Sequence, residues 1–223
     1  MKRILATLAI LALFPLLAGC GEQWSWRQKL VLEVETPRGI VTGSSVVRVK
    51  LRRVPEWLPS NNPGAIVSDI EGEASFVEVA PGRYLFALLR GGRESQLARE
   101  TFFPYPETDV PEANGRLEKF TGSAALPRKS WPVFVTFTDI SDPTTVRRVD
   151  PDNLAASFGP GYRLRSVTLE ITDEPVTEGE VEKVLGWLDE YEQKNLQLDG
   201  ERYRNARSNQ YASRLNVLDF IRR

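Results

Sequence analysis

The sequence contains no histidine, a single cysteine (Cys20) and a single methionine (Met1). Each absence removes a class of chemistry. Without histidine there is no Ser-His-Asp or Cys-His catalysis, and with only one cysteine there is no Cys/His zinc site. One thiol cannot close a disulfide within its own chain. Gly-x-Ser-x-Gly and Gly-x-Gly-x-x-Gly are both missing. The glycine-rich stretches, Gly91-Gly92 and Phe158-Gly159-Pro160-Gly161, lack the following Lys-Ser/Thr of a phosphate-binding loop, so they read as turns. Charge of one sign is not in surplus: 29 Lys+Arg stand against 30 Asp+Glu, a net −1. That balance argues against a nucleic-acid partner.

What is present begins at the amino end. Lys2 and Arg3 precede Ile4–Leu17, an almost wholly apolar run interrupted by Pro15. The run is shorter than the ~20 residues needed to span a bilayer. A positive start, a short apolar stretch and small residues at its end describe a secretory signal peptide over residues 1–19. Leu17-Ala18-Gly19-Cys20 closes it, and no second cysteine awaits Cys20.

Leu17-Ala18-Gly19-Cys20 matches the bacterial lipobox, and on it the chain resembles bacterial lipoproteins. The resemblance implies that the Cys20 thiol receives a diacylglyceryl group, that residues 1–19 are removed, and that the new amino terminus is acylated, by palmitate among other chains. Cleavage leaves 204 residues with a net charge of −3. At ~0.8 kcal/mol per buried methylene, two or three acyl chains form an effectively permanent anchor. Gly21 stands where an aspartate would retain an enterobacterial lipoprotein at the inner membrane, which points to the periplasmic face of the outer membrane in a Gram-negative host. Two further stretches, FTDISDPTTVRRVDPDNLAASFGPGYRLRSVTLEITDEPVTEG (Phe137–Gly179) and LEVETPRGIVTGSSVVRVKL, resemble uncharacterised proteobacterial lipoproteins. That likeness implies location and a single domain, and it carries no functional residue.

Residues 20–29 read as a short tether, at ~3.3 Å per residue no more than about 30 Å long. Trp24 and Trp26 within it are open to two readings, a membrane-surface element or packing under the edge of the domain.

Residues 30–199 read as one β-rich domain. Leu30, Leu32 and Val34 alternate with Val31, Glu33 and Glu35, and Val47, Val49 and Leu51 with Arg48, Lys50 and Arg52. Both are the period-2 pattern of half-buried strands. With the turn signal Thr36-Pro37-Arg38-Gly39 between them they predict a long antiparallel hairpin, its polar face setting Glu33 and Glu35 against the basic row. Ala74–Leu89 predicts a second hairpin about Pro81-Gly82, with Tyr84–Leu89 apolar on both faces and therefore central. Val133–Thr138 and Arg163–Thr172 predict further strands. In the latter, Leu164, Val167, Leu169 and Ile171 share one face if a bulge absorbs the slip between Leu164 and Val167.

Thr177 and Glu180 form a capping-box pattern, and Val181, Val184, Leu185, Leu188 and Tyr191 follow on one stripe, predicting an amphipathic helix of roughly four turns. A short helix is expected after Asp150-Pro151, closed by Gly159, with Asp150 as its cap. A third is expected over Glu94–Phe102. Phe103–Ser130 reads as a long irregular excursion, and residues 200–223 as a polar extension that wraps over the sheet or frays. The fold class is α+β: an antiparallel sheet or sandwich with a C-terminal amphipathic helix.

Candidate sites are few. Asp139, Asp142, Asp150 and Asp152 form an oxygen-rich stretch, but EF-hand spacing is absent, and turn and cap chemistry accounts for them. Arg48, Lys50, Arg52 and Arg53 form a basic row, suited to anionic lipid or polysaccharide or to a solvated sheet face. Lys129 and Ser130 are neighbours, and adjacent residues of an extended segment point apart, which disfavours a Ser-Lys dyad. The chemistry left for an enzyme is carboxylate, Ser-Lys or Tyr based. The expectation is therefore a non-enzymatic envelope lipoprotein without metal or cofactor, binding an envelope protein or polysaccharide, with Cys20 as its one modified residue. The alternative is a carboxylate-dependent hydrolase of an envelope polymer, marked by two facing acids about 5–9.5 Å apart in a cleft.

Overall fold

A computed structural model of the chain describes residues 22–89, 93–202 and 211–223. The first hairpin has strands β1 (Gln23–Thr36) and β2 (Gly39–Arg53). Pro37-Arg38 form its turn, with Gly39 at φ 119°. β1 starts seven residues before the expected strand, in the stretch assigned to a tether. Trp24, Trp26, Leu32 and Val34 lie on one face with Val47, Val49 and Leu51 opposite, all buried. Period-2 alternation therefore runs the whole length of β1, and the tryptophans face the core. The Trp26 indole N–H donates to Gln28 Oε1 (3.0 Å), whose own amide donates to the Glu94 carbonyl (2.9 Å).

Four more strands complete the larger sheet: β3 (Ile66–Glu73), β6 (Gly122–Ala125), β9 (Arg163–Ile171) and β10 (Ile221–Arg222). The order is β10-β3-β2-β1-β9-β6, with antiparallel pairing throughout. The expected bulge is present. Glu33 pairs with Ser166 and Val34 with Leu164, so Arg165 is the extra residue, and Leu164, Val167, Leu169 and Ile171 all turn inward.

The smaller sheet, ordered β4-β5-β7-β8, holds β4 (Ser75–Ala80), β5 (Arg83–Ala87), β7 (Phe134–Phe137) and β8 (Val146–Val149). β4 continues β3 after one residue, Ala74, so the chain passes directly from one sheet to the other. The two sheets meet closely where Gly43 of β2 crosses β4: a Cβ there would sit 1.8 Å from the Phe76 carbonyl oxygen. Ser45 and Ser75 stitch the crossing, their hydroxyls 2.9 Å apart, with Ser45 Oγ donating to Glu73 O and Ser75 Oγ to Leu30 O.

Both faces of the smaller sheet are buried. Val77, Val79, Leu85, Ala87 and Phe134 face the larger sheet in the first core. Phe86, Leu88, Val135 and Phe137 face a second core built with Val181, Leu185, Trp187, Leu188, Leu198, Leu215, Val217 and Phe220. The apolar run at Tyr84–Leu89 reflects that double burial. Two helices, α1 (Glu94–Phe102) and α2 (Val110–Leu117), add Leu97, Ala98 and Leu117 to the first core, beside Trp24 and Trp26.

Several expectations need correction. Phe103–Ser130 is not irregular: Asp109 Oδ1 accepts the Glu112 N–H (2.8 Å), Pro111 sits in the first turn of α2, and β6 follows. After Asp150 the chain turns first, Asp150 accepting the Asp152 N–H (3.0 Å), so Asp150 does not cap the helix; α3 spans only Ala155–Phe158, closed by Gly159 at φ 105°. The four-turn helix is two short ones, α4 (Glu180–Val184) and α5 (Leu188–Lys194). Leu185 leaves helical geometry (φ −104°, ψ 69°) just before Gly186, where glycine weakens a continuing helix. The apolar stripe still faces inward, with Val181, Leu185 and Leu188 buried.

Thr177 does not cap α4. Its hydroxyl accepts the Val46 N–H (2.9 Å), and Gly179 precedes the helix at φ 81°. Residues 211–223 are not a polar extension. Leu215, Val217, Phe220 and Ile221 are buried, and β10 pairs Ile221 with Glu73.

Candidate functional site

The polar face of the larger sheet is neutralised strand by strand. The hairpin register places Glu33 opposite Thr42 and Glu35 opposite Ile40, too far along to meet the basic row. These glutamates pair instead with Arg165 (2.9 Å) and Arg163 (2.5 Å) of β9. The Arg163 contact holds the Glu35 carboxyl below its ordinary range. Arg48 and Lys50 both contact Glu71 of β3, and Arg53 contacts Glu22 (2.7 Å). The Lys50 hydrogen bond, with Arg48 adding, lowers the Glu71 carboxyl despite partial burial. Arg48, Lys50 and Arg53 thus read as paired members of a solvated sheet face, each pair worth about 0–1 kcal/mol, and Arg52 beside them is exposed.

At the far end of β3 the same face is covered. Residues 176–181 cross it where Gly72, at φ 124°, has no side chain: a Cβ there would meet Val46 O at 2.8 Å and Val176 Cγ1 at 3.1 Å. Glu73, only 3% exposed, lies beneath the start of α4. Its carboxylate accepts backbone N–H groups from Gly179, from Glu180 (3.1 Å) and from Val181 (3.1 Å). Burial pushes the Glu73 carboxyl above its ordinary range and Glu182 adds to the rise, against the backbone donors. Arg223 then gathers Glu182 (2.6 Å), Asp189 (3.2 Å) and Glu192, tying the chain's last residues to α4 and α5.

Around these groups lies a cleft of about 420 Å³, lined in part by Glu71, Glu73, Glu178, Glu182 and Arg222. Its chemistry is that of a clasp. Glu73 is 3% exposed, and its carboxylate is engaged by three backbone N–H groups. A glycosidase needs both of its acids open to the sugar and to water, and Glu73, buried and held by backbone donors, is not open in that way.

The remaining candidates fall apart in space. Asp139 accepts from Ser141 N–H (3.0 Å) and hydroxyl (2.7 Å), which lowers its carboxyl. Asp142 accepts from Thr144 in the same way, and Asp152 pairs with Arg128 (2.5 Å). Among the described residues no group of three or more acidic or cysteine side chains is placed to hold a metal. Ser130 donates to Glu100 (2.5 Å) and is not engaged with Lys129. Gly159 and Gly161 are turn glycines with φ of 105° and 85°; Gly91-Gly92 lies outside the described residues.

Residues 1–19 and Cys20 also lie outside them. The first described residue, Glu22, accepts the Arg53 N–H through its carbonyl (2.9 Å), so the chain is already part of the sheet two positions after Cys20. Among the described residues no helix is long and apolar enough to cross a membrane.

Comparison with known proteins gives no match: no family model matches the chain, and no curated protein or solved structure matches it significantly.

The Glu73 clasp escaped sequence reasoning. Glu73 differs from Glu71 in no local signal, and only the nonlocal crossing of residues 176–181 separates their fates.

Proposed function

We propose that the chain is a lipid-anchored envelope lipoprotein, acylated at Cys20, whose β-rich domain acts as a non-enzymatic binding or structural module. The observation that carries this reading is the apolar run ending in Leu17-Ala18-Gly19-Cys20, with Cys20 the only thiol in the sequence. The short path from Cys20 to Glu22 supports it, since two residues reach no more than ~7 Å and acyl chains there would hold the domain against the bilayer without a stalk. A Gram-negative host would place it at the periplasmic face of the outer membrane, facing an envelope protein or polysaccharide. Burial of Glu73 under three backbone N–H groups favours a structural role for that carboxylate over hydrolysis.

The test is fractionation of cells expressing the wild type or Cys20→Ala, with labelled palmitate supplied. The wild type is expected in the membrane fraction carrying label, and Cys20→Ala is expected to carry none. Label retained by Cys20→Ala, or a wild type without label, contradicts the proposal.

A further inference from the structure

The end of the larger sheet at which β1 begins carries apolar surface that neither core uses. Loop 54–65 leaves from this end. Val54 N–H donates to Ala65 O (2.8 Å) and Gly64 N–H to Val54 O (2.9 Å), which pinches the neck of the loop. β3 then returns with Ile66 opposite Arg53 and Val67 opposite Arg52. Within the loop Trp57 is 70% exposed and Leu58 39%; Val67 at its base is 45% exposed. The cores enclose the tryptophans of β1 but leave this one in water.

Loop 54–65 is built to present that side chain. Pro55, Pro59 and Pro63 restrict its backbone, so holding Trp57 outward requires little further ordering. Glu56 is its only charged residue. Lys50, Arg52 and Arg53 border it with Glu22, Asp69 and Glu118, charges of mixed sign. Tryptophan with neighbouring aliphatic side chains favours the boundary between headgroups and acyl chains. The decisive relationship is with Cys20, which precedes Glu22 by two residues, a reach of no more than ~7 Å.

We infer that this end is a membrane-docking face, on which Trp57 and Leu58 insert into the interfacial layer of a phospholipid bilayer beside the acyl chains on Cys20. The inference rests on the lipoprotein reading and adds an orientation to it. β1 then stands away from the membrane and puts the exposed Ile40 at the β1–β2 turn about 40 Å out, at ~3.3 Å per residue. Glu73 and its cleft, at the far end of β3, face away from the lipid.

The test uses the full lipidated chain, in which acylation leaves no free thiol. Ser60→Cys in the loop and Ile40→Cys at the far turn are each labelled with an environment-sensitive fluorophore. The proteins are then reconstituted into phosphatidylethanolamine/phosphatidylglycerol vesicles. The label at position 60 is expected to shift to the blue on reconstitution and to be quenched several-fold less by aqueous iodide than the label at position 40. Adding Trp57→Ala and Leu58→Ala is expected to abolish that protection while the chain still floats with the vesicles. Flotation with equal quenching at both positions overturns the docking face and leaves the anchor standing. Failure of the wild type to float overturns the anchor and the orientation with it. Protection that needs native membranes containing protein, and is absent in pure lipid, shows a protein partner instead and also overturns the inference.

Discussion

The Glu73 carboxylate accepts the Val181 backbone N–H at 3.1 Å across 108 positions of sequence. The bond pins the start of α4, and with it the second core, to β3 of the larger sheet. Glu73→Ala would leave three N–H donors, one buried and two partly buried, without an acceptor, and a loss of about 3 kcal/mol is expected. Urea unfolding of the detergent-solubilised chain, followed by tryptophan fluorescence, measures it.

The pH dependence of this contact has a definite sign. Burial and Glu182 raise the Glu73 carboxyl above its ordinary 4.5. Its contribution is therefore fully present below that value and declines as pH rises through the raised one. Glu73→Gln, which cannot ionise, is expected to lose less relative to wild type at pH 8 than at pH 4. Unfolding curves at the two pH values check this, and a deficit that widens with pH contradicts it. Glu35 and Glu71, whose carboxyls are lowered, act in the opposite sense, losing their contribution as pH falls.

Much of the sheet was readable in advance because its signals are local. Alternation at Leu30–Glu35 and Val47–Arg52, Pro81-Gly82 at the second hairpin, and the one-residue slip that forces a bulge at Arg165 each depend on a few neighbouring positions. What failed depends on distant partners. The acids facing Arg48 and Lys50 are set by β3, not by the hairpin. Residues 200–223 look polar in composition, yet within them Leu215, Val217, Phe220 and Ile221 are buried and β10 adds to β3. Gly186 was a local warning that the long apolar stripe is not one helix.

Phe220 tests that reassignment of the C-terminal segment. Its ring is fully buried and contacts Phe86, Phe137 and Trp187. Phe220→Ala is expected to cost about 3–5 kcal/mol. A loss below about 1 kcal/mol, the scale of an exposed site, would contradict a core role.

Gly43 tests the meeting of the two sheets. With the Phe76 carbonyl oxygen 1.8 Å from where a Cβ would stand, Gly43→Ala forces backbone apart. A loss of about 3 kcal/mol or more is expected, while Gly115→Ala, which meets nothing within 4 Å, is expected to be neutral or slightly stabilising. Parallel thermal melts of the two variants make the comparison.

Asn114 of α2 is fully buried, and neither end of its amide has a hydrogen-bond partner. Leucine has the same branched outline without the polar atoms. Asn114→Leu is expected to raise stability by about 1–3 kcal/mol, read as a shift of the urea midpoint upward. A downward shift would show that the amide is satisfied in solution.

The most direct measurement on the central claim is the intact mass of the polypeptide extracted from membranes. The account expects a chain beginning at Cys20, heavier than its 204 residues by a diacylglyceryl group and an amino-terminal acyl chain. A chain that still carries residues 1–19, or one whose Cys20 bears no lipid, would contradict it.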